Sequence, residues 1–382
     1  ASVRVTVRVS RRAGAGNPGT RACGGAMRIV VDAMGGDRGP GPVVRGARSA
    51  LRELEGGFEV VLVGDESSVR PLLERSPSDR LHLRHAPETI AMDESPTAAL
   101  RRKRSSSVAV GLELQRDGEA EAFVSVGNTG AVMAIALTTL GRIESIARPA
   151  IATILPTQRH RPCLLLDVGA NVDTRPEHLV QFALMGHTYC VDVVGRERPR
   201  VGLLSIGEEP GKGDERTVAA HALLEESGLA FVGNVEGGDL LKGSADVVVC
   251  DGFVGNAVLK FGESFVDFLA DAAREEVDKS WRTRLGAALM RPAFASLRRR
   301  LDYAEYGGAP LLGVDGVVII GHGSSNVKAV RNAIGVARRA AEREIHRHIE
   351  SAVRSYESEA AARAPASRAG GESENQQIGG TA

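Results

Sequence analysis

Short runs rich in Val, Ile and Leu recur between Met27 and about Ser351, at Arg28–Ala33, Phe58–Val63, Ala122–Val126, Ala150–Leu155, Cys163–Val168, Arg200–Ile206, Ala230–Val232, Asp246–Cys250 and Val317–Ile320. Because these runs are predominantly apolar instead of strictly alternating, they predict strands covered on both faces, and the helical patterns between them predict parallel crossovers. Helices are expected near Pro40–Leu54, Pro96–Gln115, Gly130–Leu140, Pro176–Cys190, Glu215–Glu226, Asn256–Glu275 and Ser325–Ser351, several of them opened by Pro, Asn or Ser. The fold class that follows is α/β, a largely parallel sheet with helices on both faces.

Charge narrows the function classes. Lys plus Arg equals Asp plus Glu at 48 each, so no chain-wide basic field points to nucleic acid, and recognition of an anion must be local. Four cysteines, with no pair at metal-knuckle spacing, are too few for a disulfide scaffold in 382 residues and fit a reducing cytoplasm. The longest apolar run, Ala131–Leu140, is about half of what a membrane-spanning helix needs. Residues 1–26 carry five arginines and no acid, and are expected to be a disordered extension ahead of a start at Met27. They include GAGNPG (Gly14–Gly19), which matches a dinucleotide fingerprint in form only, since neither a buried strand nor a helix flanks it. The remainder divides into one catalytic α/β unit over 27–352 and a polar tail over 353–382.

The strands run into small polar loops: DAMGGD (Asp32–Asp37), VGNTG (Val126–Gly130), DVGANVD (Asp167–Asp173), SIGEEPGKGDE (Ser205–Glu215), GNVEGGD (Gly233–Asp239), DGFVGN (Asp251–Asn256) and GHGSSN (Gly321–Asn326). In a parallel sheet the C-terminal strand ends share one edge, where backbone N–H groups and helix N-termini bind anions. Ordinary βα turns favour the same residues, but seven loops of one character predict a phosphate-handling cleft. Its expected lining is Asp32, Gly35, Gly36, Asp37, Gly211, Gly213 and Asp251, with Lys212, the amides Asn128, Asn171 and Asn256, the hydroxyls Thr129, Ser324 and Ser325, and His322 as the side chains that can carry chemistry. Lys212 stands out because flanking glycines let a ligand approach the backbone. SIGEEPGKGDE is not a nucleotide P-loop: three residues separate Gly207 from Gly211, and Gly213 follows the lysine. No GxSxG elbow or HExxH pair is present, so covalent hydrolase chemistry lacks a nucleophile. Asp167, Asp173 and Asp251 can either ligate Mg²⁺ or cap helices and turns.

Taken together, MRIVVDAMGGD, VGNTGAVMA, RPAIATILPT, LLDVGANVD, IGEEPGKGDE, GNVEGGDLL, DGFVGNAVLK, YGGAPLLGV and GHGSS resemble, in order and spacing, the bacterial phosphate acyltransferase family of the PlsX type, over roughly Met27 to His348. The resemblance implies transfer of a long-chain acyl group from acyl carrier protein to inorganic phosphate, giving acyl phosphate for phospholipid synthesis. It further implies a three-layer fold like isocitrate and isopropylmalate dehydrogenases, a homodimer, attachment to the membrane surface beside a downstream membrane acyltransferase, and neither cofactor nor metal. Lys212 and Asn256 take the first catalytic roles, with His322 as an optional assistant.

Residues 276–304 form an expected basic amphipathic projection. Trp281, Leu285 and Leu289 recur at i, i+4 and i+8, ringed by Arg282, Arg284, Arg291 and Arg298. The pattern suits a membrane surface or a packed interface equally; the resemblance favours membrane, and acidic carrier protein is a further partner for the arginines. The resemblance also puts the basic run Arg101–Arg104 near the carrier or phosphate site. Three other readings stay open: a short-chain acyl-CoA phosphotransferase, an NAD- and Mg²⁺-dependent dehydrogenase, and a non-catalytic scaffold for lipid-synthesis enzymes.

Overall fold

In the computed structural model, which describes residues 26–363 apart from 76, 160 and 302, each of the nine apolar runs is a strand. With two more they are β1 (Met27–Asp32), β2 (Phe58–Gly64), β3 (Leu81–His85), β4 (Ala122–Ser125), β5 (Ala150–Leu155), β6 (Cys163–Leu166), β7 (Arg200–Leu204), β8 (Ala230–Val235), β9 (Val247–Val249), β10 (Ala309–Leu312) and β11 (Val317–Ile320). All join one sheet in the order β3-β2-β1-β4-β11-β10-β5-β6-β9-β7-β8. The helices are α1 (Pro40–Glu53), α2 (Glu66–Glu74), α3 (Pro96–Arg102), α4 (Ser107–Arg116), α5 (Thr129–Thr139), α6 (Pro176–Tyr189), α7 (Glu215–Glu225), α8 (Gly237–Lys242), α9 (Gly252–Asp278), α10 (Trp281–Leu289), α11 (Arg291–Leu301), α12 (Val327–Glu342) and α13 (Ile345–Arg363).

Strand side chains alternate between two cores. Ile29, Val31, Val124, Leu164, Leu166 and Val249 face α1, α6, α7, α12 and α13, whereas Val30, Phe123, Leu165 and Val248 face α3, α4, α5 and α8. Both sets are almost fully buried. At roughly 1.5–3 kcal/mol for each large aliphatic side chain removed from water, this double burial explains why the runs carry no polar face.

Sheet polarity departs from the expectation. β10 pairs antiparallel with both β11 and β5, and β5 pairs antiparallel with β6. The strands β1, β2, β3, β4 and β11 therefore run one way, and β6, β7, β8 and β9 run the other. The seven loops are consequently not on one edge. Those after β1, β4 and β11 leave one edge of the sheet, and those after β6, β7, β8 and β9 leave the opposite edge.

Helix boundaries differ in several places, α9 for one starting at Gly252 instead of Asn256. The expected helix over Pro96–Gln115 is split, because Ser106 caps α4 by accepting from the Ala109 N–H at 3.3 Å. The expected helix over Ser325–Ser351 divides into α12 and α13 at Glu344, whose φ is 46°. Residues 353–363, expected as tail, are helical instead, since α13 continues to Arg363 and buries Val353 completely in the core. The extension expected over 1–26 and the rest of the tail lie outside the described residues, except for residue 26.

Candidate active site

The edge after β6, β7, β8 and β9 gathers the strongest chemistry. Asp167, buried at the end of β6, accepts the N–H groups of Ile151 (3.1 Å), Gly169 (3.2 Å), Ala170 (3.0 Å) and Asn171 (2.7 Å), together with the Asn171 side-chain amide (2.9 Å). Burial pushes its carboxyl above the usual range, and these donors pull the other way. Asn171 also donates to the Pro149 carbonyl at 2.7 Å. Both residues are thereby committed to shaping the 167–174 loop. Asp251 caps α9 through the Val254 N–H at 2.9 Å, and Gly252 donates its N–H to the Asn171 carbonyl at 2.7 Å. Asn256 follows one turn into α9, exposed, with Gly169 beside its side chain.

The Lys212 loop approaches from β7. Its backbone is clamped twice: the Lys212 N–H donates to the Glu209 carbonyl at 3.0 Å, and Ser205 Oγ donates to the Lys212 carbonyl at 3.0 Å. Gly213 sits at φ 112°, a conformation that a side chain would strain, whereas a Cβ on Gly211 would meet nothing. Asp214 then caps α7, accepting from the Thr217 N–H at 2.8 Å and its hydroxyl at 2.6 Å, and the hydroxyl bond is the main reason its carboxyl titrates low. Lys212 itself is exposed, with no ion pair or side-chain hydrogen bond among the described residues.

Sequence reasoning missed Arg216. Its guanidinium donates to Asp214 (2.8 Å), Asp251 (3.1 Å) and Thr174 Oγ1 (3.1 Å), so it ties together the Lys212 loop, the start of α9 and the 167–174 loop. One signal was available: a cation in the first turn of a helix opposes the macrodipole and needs another reason to be there. Of the three carboxylates expected either to ligate Mg²⁺ or to cap, Asp173 is exposed, and the other two are engaged within the fold. Asp167 is filled by N–H groups and Asp251 by a cap and an arginine, and no group of three or more His, Cys, Asp or Glu side chains among the described residues is disposed to hold a metal.

The opposite edge holds the other expected residues. Asp32, buried, accepts from Ser125 Oγ (2.7 Å) and from the N–H groups of Met34 (3.0 Å) and Gly35 (3.2 Å), and burial raises its carboxyl. Gly36 and Asp37 lie against the GHGSSN loop, where the Asp37 N–H donates to the Gly323 carbonyl at 2.9 Å. Asn128 caps α5 through Ala131, and its amide donates to the carbonyls of Ala91, Met92 and Glu94, which occupies it structurally. Thr129 is exposed on the first turn of α5. His322 Nδ1 accepts from the Ser324 N–H (3.2 Å) and lies 2.8 Å from Ser324 Oγ, which assigns the proton of the neutral ring to Nε2. Ser325 is buried, its N–H on the His322 carbonyl at 2.9 Å. Arg101–Arg104 adjoin this edge, with Lys103 held by Glu94 and the Thr89 carbonyl. Within one chain, then, Lys212, Asn256, Asn171, Gly211, Gly213 and Asp251 share one sheet edge, while His322, Asp32, Gly35, Gly36, Asp37, Asn128, Thr129, Ser324 and Ser325 lie at the opposite edge.

The projection begins earlier than residue 276. α9 buries only Gly252 and Gly255, and Phe261, Phe265 and Phe268 stack along its exposed side at ring separations of 5.8 and 6.4 Å. On α10, Trp281, Leu285 and Leu289 are 70%, 56% and 77% exposed, so the stripe is not covered by this chain. Arg282 lies over the Trp281 ring, and Arg284 pairs with Asp278 at 3.3 Å. Arg291 opens α11; the Arg298 side chain lies outside the described set. No helix among the described residues is long and apolar enough to cross a membrane.

A family profile described as "Fatty acid synthesis protein" matches residues 27–348. The chain is 52% identical to the phosphate acyltransferase of Pelotomaculum thermopropionicum over 332 residues, covering 87% of this chain and 96% of that one. It is 54% identical to the phosphate acyltransferase of Moorella thermoacetica over 312 residues, covering 81% and 91%. Among solved structures, a branched-chain phosphotransacylase from Enterococcus faecalis superposes with a TM-score of 0.55 at 13% identity, covering 83% of this chain and 99% of that one. EutD phosphotransacetylase from Staphylococcus aureus gives 0.53 at 14% identity, covering 83% and 94%. The structural matches establish a shared fold, and the sequence matches, which span most of both chains, establish that this chain belongs to the phosphate acyltransferase family of the PlsX type.

Proposed function

We propose that this enzyme transfers a long-chain acyl group from acyl carrier protein to inorganic phosphate, using Lys212 and Asn256. The observation that supports this choice of residues is the Arg216 tie, which links Asp214, two residues after Lys212, to Asp251 at the N-cap of α9, the helix that carries Asn256. A phosphate oxygen attacks the thioester carbonyl carbon, the C–S bond breaks, and the carrier leaves as a thiolate that takes a proton from water. Phosphate is largely dianionic near neutrality, so no general base is needed. What the protein must supply is position and positive charge for phosphate and the developing oxyanion, which the Lys212 ammonium and the Asn256 side-chain amide provide. His322, on the other edge of the same chain, takes no part in this step.

The exposed stripe on α9 and α10 and the arginines beside it support attachment to an anionic membrane surface, where acyl phosphate would pass to a membrane acyltransferase, and a homodimer is part of the same reading. The assay is thiol release from palmitoyl-acyl carrier protein with and without phosphate, beside palmitoyl-CoA. Phosphate-dependent release with preference for the carrier protein is expected; release from palmitoyl-CoA alone would make this an acyl-CoA-dependent phosphotransferase, and no phosphate-dependent release from either donor would overturn the proposal. For the projection, Leu285→Asp with Leu289→Asp is expected to lower sedimentation with vesicles of anionic phospholipid at least about tenfold while phosphate-dependent turnover in solution stays intact. Unchanged sedimentation would mean that the stripe serves another surface.

A further inference from the structure

Asn234 is buried at the end of β8, where a side-chain amide must find partners for both of its ends. A register shift puts it there. Val201 pairs with Phe231, but Leu203 pairs with Asn234, so β8 carries one extra residue between them. Such a bulge turns the following side chains to the other face, and here it turns at Gly233, whose φ is 90°. Bulges of this kind re-aim a side chain. Asn234 Nδ2 donates to the Glu209 carbonyl at 2.8 Å, and its Oδ1 lies 2.9 Å from His221 Nδ1. The amide oxygen facing the ring makes His221 Nδ1 the donor. That ring is itself fixed, buried edge-on against Phe231 at 5.1 Å, with Nε2 3.5 Å from Glu225.

The carbonyl of Glu209 is the common point, because it also accepts the Lys212 N–H at 3.0 Å. A chain of contacts thus runs from the core to the lysine backbone: Phe231, His221, Asn234, Glu209, Lys212. We propose that Asn234, oriented by His221, is a positioning residue for Lys212, setting where the ammonium group stands when phosphate and thioester meet. The role rests on the reading that Lys212 contacts one of them. Asn234 touches neither, and acts only through the loop.

A double-mutant cycle in the full chain tests this, comparing Asn234→Ala, Lys212→Ala and the pair by phosphate-dependent thiol release from palmitoyl-acyl carrier protein. Asn234→Ala is expected to lower kcat on the order of a hundredfold, with KM for the acyl carrier within about twofold, because a misplaced group loses rate more than binding. Once Lys212 is gone, Asn234→Ala should change kcat by less than about twofold. Equal losses in both backgrounds would overturn the proposal, since damage to the fold lowers both alike. Hydrogen exchange of the Lys212 amide separates the two readings. If Lys212→Ala keeps full turnover, the lysine's role fails, and exchange then decides the anchoring alone: faster exchange in Asn234→Ala supports it, unchanged exchange overturns it. Should Asn234→Ala not fold, His221→Phe replaces it, keeping a ring against Phe231 while removing the Nδ1 donor. The same non-additivity is expected with a loss of about tenfold, and additivity would again overturn the proposal.

Discussion

Replacing Lys212 with Ala is expected to lower turnover at saturating phosphate by about a hundred- to a thousandfold, the cost of removing one preorganised donor from developing charge. Stability should not change. The side chain is exposed and unpaired among the described residues, and the loop geometry rests on the Lys212 backbone, which alanine retains. Asn256→Ala, on an exposed face of α9, is expected to lose rate in the same way without unfolding the chain. Steady-state kinetics beside thermal melting check both. Near-full turnover in a folded Lys212→Ala enzyme would remove the lysine from the mechanism.

Gly255→Ala is expected to be the most destabilising single methyl group that can be added near this site. A Cβ there would stand 1.9 Å from the Asp167 carbonyl oxygen and 3.0 Å from Cys250 Sγ, both in buried surroundings that cannot yield. Relief requires the start of α9 to lift away, breaking the bond from Gly252 to Asn171 and displacing Asn256. The loss should exceed about 4 kcal/mol in urea unfolding, with activity abolished. Gly262→Ala on the same helix is the control, because a Cβ there meets nothing. It should stabilise the chain by up to about 1 kcal/mol, as alanine does in an open helix position. A Gly255→Ala protein as stable as the wild type would show that the approach of α9 to β6 is looser than the structure has it.

Strands were legible because burial on both faces leaves no room for polar residues, so β6, β9 and β11 announce themselves as unbroken apolar runs. β3 was not legible, since LHLRH, at the sheet edge, exposes most of its side chains, and β10 was hidden in APLL, too short to separate from loop. Polarity could have been read. Only seven residues separate the runs Ala150–Leu155 and Cys163–Val168, fewer than a parallel crossover requires, so the pair had to be antiparallel. That one reversal sends the loops after β6, β7, β8 and β9 to the other edge and parts His322 from Lys212. Lys212 was visible as a residue between two glycines and Asn256 as one that follows a glycine, both in loops after strands, but Arg216, Asn234 and His221 were not. Their importance lies in which carbonyls and carboxylates they reach across the fold, and spacing along the chain does not carry that information.

The pairing of β4 with β11 has a consequence for how the chain is made. β6, β7, β8 and β9, with α9 after them, come from one continuous stretch, so the half that carries Lys212 and Asn256 has all its strands as soon as α9 leaves the ribosome. β4 must wait. Its partner at Val317–Ile320 is synthesised only after that whole half and the α10–α11 projection. Until then an apolar strand edge stands open on the nascent chain, the state in which intermolecular pairing competes with folding and in which chaperones bind. The inserted half matures first, and the first-made half is finished last.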